Sequence, residues 1–359
     1  MMYEYWLGKV CPLSDKKKQK LRSCIGTAKE IYHIEETELN QIDFLTDKDK
    51  EVLKEAKKQK DLCEEYRKLE EQGISFIPYF DKAYPSRLRR ALSPPYAIYV
   101  KGKLPSEEKL SVAIVGARKC TPYGETMALE YGEKLAEAGI QIISGMARGI
   151  DGAAQRGALN AGGTTYGVLG CGVDICYPSE HQGLYGDILK EGGVLSEQPP
   201  KAPPLARNFP ARNRIISGLS DLVLVMEAKE KSGSLITADM ALEEGKDVYA
   251  LPGLATSPMS RGCHRLIAQG AGILLSPEDL LDMLGYEREK LRQKPDKNEK
   301  MLETTGNIVY SCLDLYPKGV QSLLEETGLA TKDLLEQLMT LELQGDIKEI
   351  SKNQYIRVR

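Results

Sequence analysis

Aromatic side chains are scarce in this 359-residue chain: one Trp, four Phe and three His, with Tyr supplying most of the rings. Base stacking on a broad aromatic surface is therefore not expected. Charge of one sign is also lacking, since 49 Lys and Arg face 52 Asp and Glu for a formal net charge of −3. A global positive field is excluded, and any polyanion must be met by a local patch. No apolar run approaches the ~18 residues of a membrane span. The start, Met1-Met2-Tyr3-Glu4-Tyr5-Trp6, has an early acid and no apolar segment, so no signal peptide is expected. The eight cysteines are scattered without framework spacing, which suits reduced thiols in a cytoplasmic protein. His33, His181 and His264 stand far apart, and Cys263 beside His264 has no second Cys/His pair at metal spacing. No metal or cofactor is expected.

What is present is a change of rhythm along the chain. Residues 1–72 are rich in Lys and Glu, with helical apolar spacing at Ile31, Ile34, Leu39 and Ile42. Gly26 suggests a turn between short helices, as in SAM or helix-hairpin-helix-like domains. Lys48–Glu71 reads as one further exposed helix, its charges nearly cancelling. From residue 73 strands enter, first Ile74–Pro78 and Tyr96–Val100. Six short runs then alternate with amphipathic helices: Val112–Gly116, Gln141–Gly145, Thr165–Gly170, Gly193–Glu197, Asp221–Glu227 and Asp247–Pro252. This spacing predicts a Rossmann-like α/β domain over 73–285, its parallel sheet covered on both faces. A polar stretch, 286–304, reads as a linker. In 305–359, two helical patterns and a hairpin predict a winged-helix domain.

In a doubly wound sheet, ligands meet the loops after the strands, where helix starts present free N–H groups. The first loop holds Gly116, Arg118, Lys119 and the cap Thr121-Pro122. A dinucleotide fingerprint needs three glycines here and an acid about 20 residues on. Only Gly116 is in place, so a nicotinamide is excluded. The second loop runs Ser144-Gly145-Met146-Ala147-Arg148-Gly149-Ile150-Asp151, small residues around an arginine. The third, Phe209 to Ser217, places Arg212 and Arg214 on different helix faces, with Asn213 between them and Phe209 able to stack a base. The fourth, Ser232-Gly233-Ser234, opens a helix with hydroxyls and amides. Residues 111–275 hold 15 basic and 17 acidic side chains, so basicity is confined to the loops. A phosphate-containing ligand follows. A structural reading, in which the arginines brace Asp151, Asp174 or Glu197, stays open beside it.

The ordered set Val112–Arg118, Thr121–Gly124, Ser144–Asp151, Tyr177-Pro178, Ser196-Glu197, Phe209–Ile216, Ser232–Ala238 and Leu251–Gly253 resembles the DNA-processing protein A family (DprA, or Smf) over most of residues 75–283. The resemblance implies sequence-independent binding and protection of single-stranded DNA, loading of RecA recombinase during natural transformation, a homodimer through the Rossmann-like domain, and no catalysis. It places DNA contacts at Arg118, Ser144, Gly145, Arg148, Phe209, Arg212 and Asn213. The loop chemistry adds Lys119, Ser232, Gly233 and Ser234. Two departures stand out. Where a basic residue often follows the family's Tyr-Pro, this chain has Ser179-Glu180-His181, and Gln155 stands where the family usually has His.

Two other functions compete. A nucleotide hydrolase of the lysine-decarboxylase-like fold would use a glutamate such as Glu243 or Glu244, but its Pro-Gly-Gly-x-Gly-Thr loop is absent. A duplex-reading transcription factor would need a basic recognition helix, whereas Thr331–Gln337 carries acids. An accessory or protein-interaction role is expected for that helix.

Overall fold

The computed structural model describes residues 1–10, 12–58, 61–286 and 304–358. Most of the linker stretch, 287–303, and Cys11 lie outside the described residues.

Six short helices come first: α1 (Met2–Lys9), α2 (Asp15–Ile25), α3 (Ala28–His33), α4 (Glu36–Asn40), α5 (Asp47–Ala56) and α6 (Leu62–Glu71). Polar caps set their starts. Ser14 accepts from the Lys17 amide, and Thr27–Glu30 and Thr46–Asp49 form reciprocal capping boxes. Trp6 and Leu7 are buried among these helices. The single exposed helix expected over Lys48–Glu71 is instead two helices. The Ala56 carbonyl at the end of α5 accepts from the Trp6 indole, and the Lys57 carbonyl accepts from the Tyr32 hydroxyl. Side chains thus satisfy carbonyls that a continuing helix would have used. Leu53, Leu62 and Leu69 turn inward, so neither piece is solvated all round.

The core elements follow in order: β1 (Ile74–Pro78), α7 (Ser86–Arg89), β2 (Ala97–Gly102), β3 (Ser111–Val115), α8 (Pro122–Glu137), β4 (Gln141–Ser144), α9 (Ile150–Asn160), β5 (Thr165–Val168), α10 (Gln182–Glu191), β6 (Gly193–Ser196), α11 (Asn208–Leu219), β7 (Leu222–Val225), α12 (Gly233–Glu243), β8 (Asp247–Ala250), α13 (Arg261–Ala268), β9 (Gly272–Ile273) and α14 (Pro277–Met283). Among the described residues, nine strands form one sheet in the order β1-β2-β6-β5-β4-β3-β7-β8-β9. All six expected core strands are present, and β3 to β9 pair in parallel through this order. The sheet is not wholly parallel, however. β1 and β2 add an antiparallel edge against β6, and the short β9 extends the other side. β1 and β2 pair antiparallel although the connection between them carries the short helix α7.

β3 is central among the seven parallel strands, with β4 to β6 on one side and β7 to β9 on the other. This reversal of winding is the switch point at which open α/β sheets bind ligands. Val112, Ala113, Ile114 and Val115 are buried on both faces, as a near-continuous apolar run requires. α8 and α9 carry the first two loops and lie in backbone contact. A side chain at Gly132 would collide with the Ala154 carbonyl, and one at Gly157 with the Leu129 carbonyl. Glycine is what permits this approach.

The C-terminal segment comprises α15 (Thr304–Cys312), β10 (Lys318–Gly319), α16 (Val320–Thr327), α17 (Thr331–Gln344), β11 (Ile347–Ser351) and β12 (Gln354–Arg357). Gly328 ends α16 and Gly345 ends α17, both in the left-handed region. The expected hairpin is β11–β12, and β10 joins it in a three-stranded antiparallel sheet. Leu323, Leu334, Leu338 and Leu341 form its core.

Candidate nucleic-acid interface

The loops after β3, β4 and β7 and the start of α11 surround a cleft of about 500 Å³ at the switch point. Of the residues expected to meet a ligand, Arg118, Phe209, Arg212, Asn213, Ser232, Gly233 and Ser234 line it. Gly145 and Arg148 line an adjoining pocket that shares Arg118, Phe209 and Arg212. Ser144 and Lys119 line neither.

The floor of this cleft is polar, and most of its groups are taken up inside the protein, although the buried Nε of Arg212 has no hydrogen-bond partner. Ser144 is 0% exposed, and its hydroxyl donates to the Ile114 carbonyl at 2.6 Å. The Gly145 amide donates to Asp151 at 3.1 Å. Asp151 and Arg212 are only 6% and 4% exposed, and the two charges face each other electrostatically. Burial pushes the Asp151 carboxyl up and pulls the Arg212 guanidinium down to about 10, each opposed by the other charge. Arg212 still carries its proton at neutral pH. Its Nη1 donates to the Val168 carbonyl, and a side chain at Gly145 would collide with the guanidinium. The donors of Ser144 and Gly145 are therefore spent inside the protein, and Arg212 ties α11 to the end of β5. Arg214 is likewise braced, by Glu197, Asp15 and the Ser93 carbonyl. Asp151 and Glu197, two of the three acids named above as bracing partners, take this role.

The rim differs. Arg118 is exposed, with its guanidinium 5.1 Å from the Phe209 ring centre. The Tyr177 ring lies 5.5 Å beyond Phe209, tilted by 30°. This gathers a cation and two rings around Phe209 at the cleft. Lys119 is exposed beside Arg118, and among the described residues no carboxylate pairs with either. Arg148 is exposed and ion-paired with Glu180. Across the cleft, Asn213 donates to the Gly233 carbonyl at 3.1 Å, and the Ser232 and Ser234 hydroxyls lie 2.8 Å apart. No side chain caps α12, whose start, Ser232, Gly233 and Ser234, lines the cleft.

Three contributors escaped the sequence reading. Tyr177 was noted only as part of a motif, and Glu180 only as a departure. Glu227, at the end of β7, accepts from the Thr121 amide at 2.8 Å and the Thr121 hydroxyl at 2.6 Å. It is 3% exposed, and burial pushes its carboxyl up. Glu227 thereby clamps the first loop to the neighbouring strand. An acid at a strand's carboxyl end was the available signal.

The hydrolase alternative loses its residues. Glu244 accepts from Ser217 at 2.9 Å and pairs with Lys246, and Glu243 is exposed at the far end of α12, away from the cleft. His181 and His264 bond the carbonyls of Met146 and Gly253. Among the described residues, no cluster of His, Cys, Asp or Glu could hold a metal ion, and no helix is long and apolar enough to cross a membrane. Described cysteines are unpaired.

A doubly wound Rossmann-like protein with a cationic, aromatic rim over its switch point is the class this geometry defines. The chain belongs to the DNA recombination-mediator protein A family, whose model matches residues 75–285. Similar proteins include Protein Smf of Escherichia coli K12, 39% identical over 299 residues that span 81% of this chain and 79% of that one. DNA processing protein DprA of Bacillus subtilis 168 is 42% identical over 215 residues, 60% of this chain and 72% of that one. The X-ray structure of DNA processing protein A from Streptococcus pneumoniae superposes with a TM-score of 0.71 at 35% identity, covering 79% of this chain and 97% of that one. A Helicobacter pylori DNA processing protein A structure, described as revealing a single-stranded DNA binding mode, has a TM-score of 0.53 at 29% identity and covers 59% and 95%. The family is one of recombination mediators and not of enzymes.

Proposed function

We propose that this chain binds single-stranded DNA without sequence preference, protects it, and loads RecA recombinase onto it during natural transformation, in the cytoplasm. The observation that carries the reading is the unpaired Arg118 seated on Phe209 at the mouth of a 500 Å³ cleft. A cation on a ring offers a phosphate contact and a base contact side by side, with nothing that reads a base edge. Arg118, Lys119, Arg148, Phe209 and Asn213 make the DNA contacts from the rim, with the α12 start at Ser232, Gly233 and Ser234. Ser144, Gly145 and Arg212 act beneath them, through the shape of the floor. The relatives named DNA processing protein, and the Helicobacter protein's single-stranded DNA mode, support this reading.

The working unit is a homodimer through the Rossmann-like domain. β9 ends the sheet with an open edge, and Ile273 and Leu275 are exposed beside it. The domains are a helical unit over 1–72, the Rossmann-like domain over 73–285, a linker over 286–304 and a winged helix over 305–359. Lys332, Asp333 and Glu336 on α17 are exposed, a mixed charge that suits a protein partner better than a phosphate backbone.

Competition between oligo-dT and a duplex of equal length, at several salt concentrations, tests the function. Oligo-dT displaces a labelled single strand, duplex does so far less well, and affinity falls steeply with salt. Equal competition by duplex would overturn the reading.

A further inference from the structure

Among the rim cations, Arg148 alone has a carboxylate on it. Glu180 Oε1 lies 3.1 Å from its Nε and also takes its Nη2, so one carboxylate oxygen occupies both donors on that side of the guanidinium. Both side chains are open to water, at 58% and 57% exposure, and the pair sits on the surface that the phosphate backbone approaches. Glu180 is held there by the framework and does not depend on Arg148 for its place. It lies in a short 3-10 turn over Ser179–His181, and His181 Nδ1 fixes that turn to the Met146 carbonyl of the second loop at 3.1 Å. The His181 ring packs on Gly152, where an added Cβ would lie 2.6 Å from it. Its own backbone amide and Arg148 hold the Glu180 carboxyl below the usual range, so it is charged at neutral pH.

We propose that Glu180 is a tethered counterion, which competes with DNA phosphate for Arg148 and limits the affinity of this chain for single strands. The proposal rests on the single-stranded DNA reading above. A phosphate reaching Arg148 must displace Glu180 or accept its repulsion, so Arg148 adds little net attraction while Glu180 is charged. Arg118 and Lys119 carry no such counterion and contribute fully. Glu180 itself touches no ligand. It acts through Arg148 and is a positioning residue for that cation.

The test is a double-mutant cycle on the full chain, with fluorescence anisotropy on labelled oligo-dT across a salt series. Glu180→Gln is expected to bind about fivefold tighter at low salt, with the log–log salt slope steeper by about one. Arg148→Ala is expected to weaken binding in both backgrounds, and about fivefold more in Glu180→Gln than in the wild type, where Glu180 already offsets part of the cation. Combining the two removes most of the gain, leaving less than about a twofold difference from Arg148→Ala. Glu180→Lys is expected to bind tighter still. Thermal melts accompany each variant. If Glu180→Gln and Glu180→Lys both fold and neither gains affinity, the inference fails while the functional reading stands. A gain that persists undiminished without Arg148 also overturns it, since the effect would then be a general loss of negative charge. If the wild-type chain does not bind oligo-dT, the functional reading fails and this inference falls with it.

Discussion

Arg118 and Arg212 stand in short motifs that look alike in sequence, Gly-Ala-Arg-Lys and Pro-Ala-Arg-Asn, yet one is open to solvent and the other is 4% exposed. Arg118 rests on Phe209 with no carboxylate beside it. Arg212 faces Asp151 and ties to the end of β5 through the Val168 carbonyl. Both line the same cleft. The difference separates two jobs that a motif merges: the buried arginine builds the floor, and the exposed one is left free to meet a ligand. A buried charge is costly to unpair, whereas an exposed one costs the fold little.

That division can be broken most directly at the floor. Arg212→Ala leaves Asp151 buried without its counter-charge and is expected to cost about 3–5 kcal/mol of stability. A thermal melt reads this as a large drop in midpoint, with DNA binding lost as a consequence of unfolding. An unchanged midpoint would place Arg212 with the rim. Phe209→Ala is expected to keep the midpoint within a few degrees but to weaken oligo-dT binding by about 1–3 kcal/mol, the range for losing one stacked base. Phe209→Tyr restores most of it. Arg118→Ala should weaken binding for every sequence alike, by about fivefold, and flatten the salt slope by about one. A sequence-dependent loss would instead mean that Arg118 reads bases.

The smallest effect concerns Glu227, whose burial raises its carboxyl above the ordinary range. Such a group favours the folded state below its unfolded value, and that advantage is lost as pH rises through the folded value. Glu227→Gln keeps an acceptor for the Thr121 amide and a donor for its hydroxyl. Its melting midpoint should match that of the wild type in acid and gain on it from about pH 4 upward. A constant difference at all pH values would show that Glu227 does not titrate in this range.

Much of the fold was legible because strands buried on both faces advertise themselves. Val112–Val115 and Leu222–Val225 are apolar throughout, and glycine or a polar turn ends each run. β9 was not legible, being two residues long with Ile273 exposed. The break between α5 and α6 was hidden because its cause, Trp6 and Tyr32 bonding to the carbonyls of Ala56 and Lys57, lies far away in sequence. The loops after β3, β4 and β7 were legible as loops, and their glycines as places of close approach, whereas the third expected loop, Phe209 to Ser217, lies within helix α11. Which arginine would be buried was not, since the Asp151 that faces Arg212 is supplied by the first turn of α9, and only the sheet brings the two together. The pairing of Arg148 with Glu180 was equally remote, though the acid after Tyr177-Pro178 marked the spot.

The glycine contacts between α8 and α9 have a mechanical consequence. Gly132 against Ala154 and Gly157 against Leu129 press the two backbones together with no side chain between them to yield. Arg118 precedes α8 and Arg148 precedes α9, so the two loops are mounted on one stiff block. Such a mounting works as a caliper: its jaws are set when the chain folds, and a flexible strand must conform to a gap that is already fixed. The ordering entropy then falls on the DNA, and little of it on the protein.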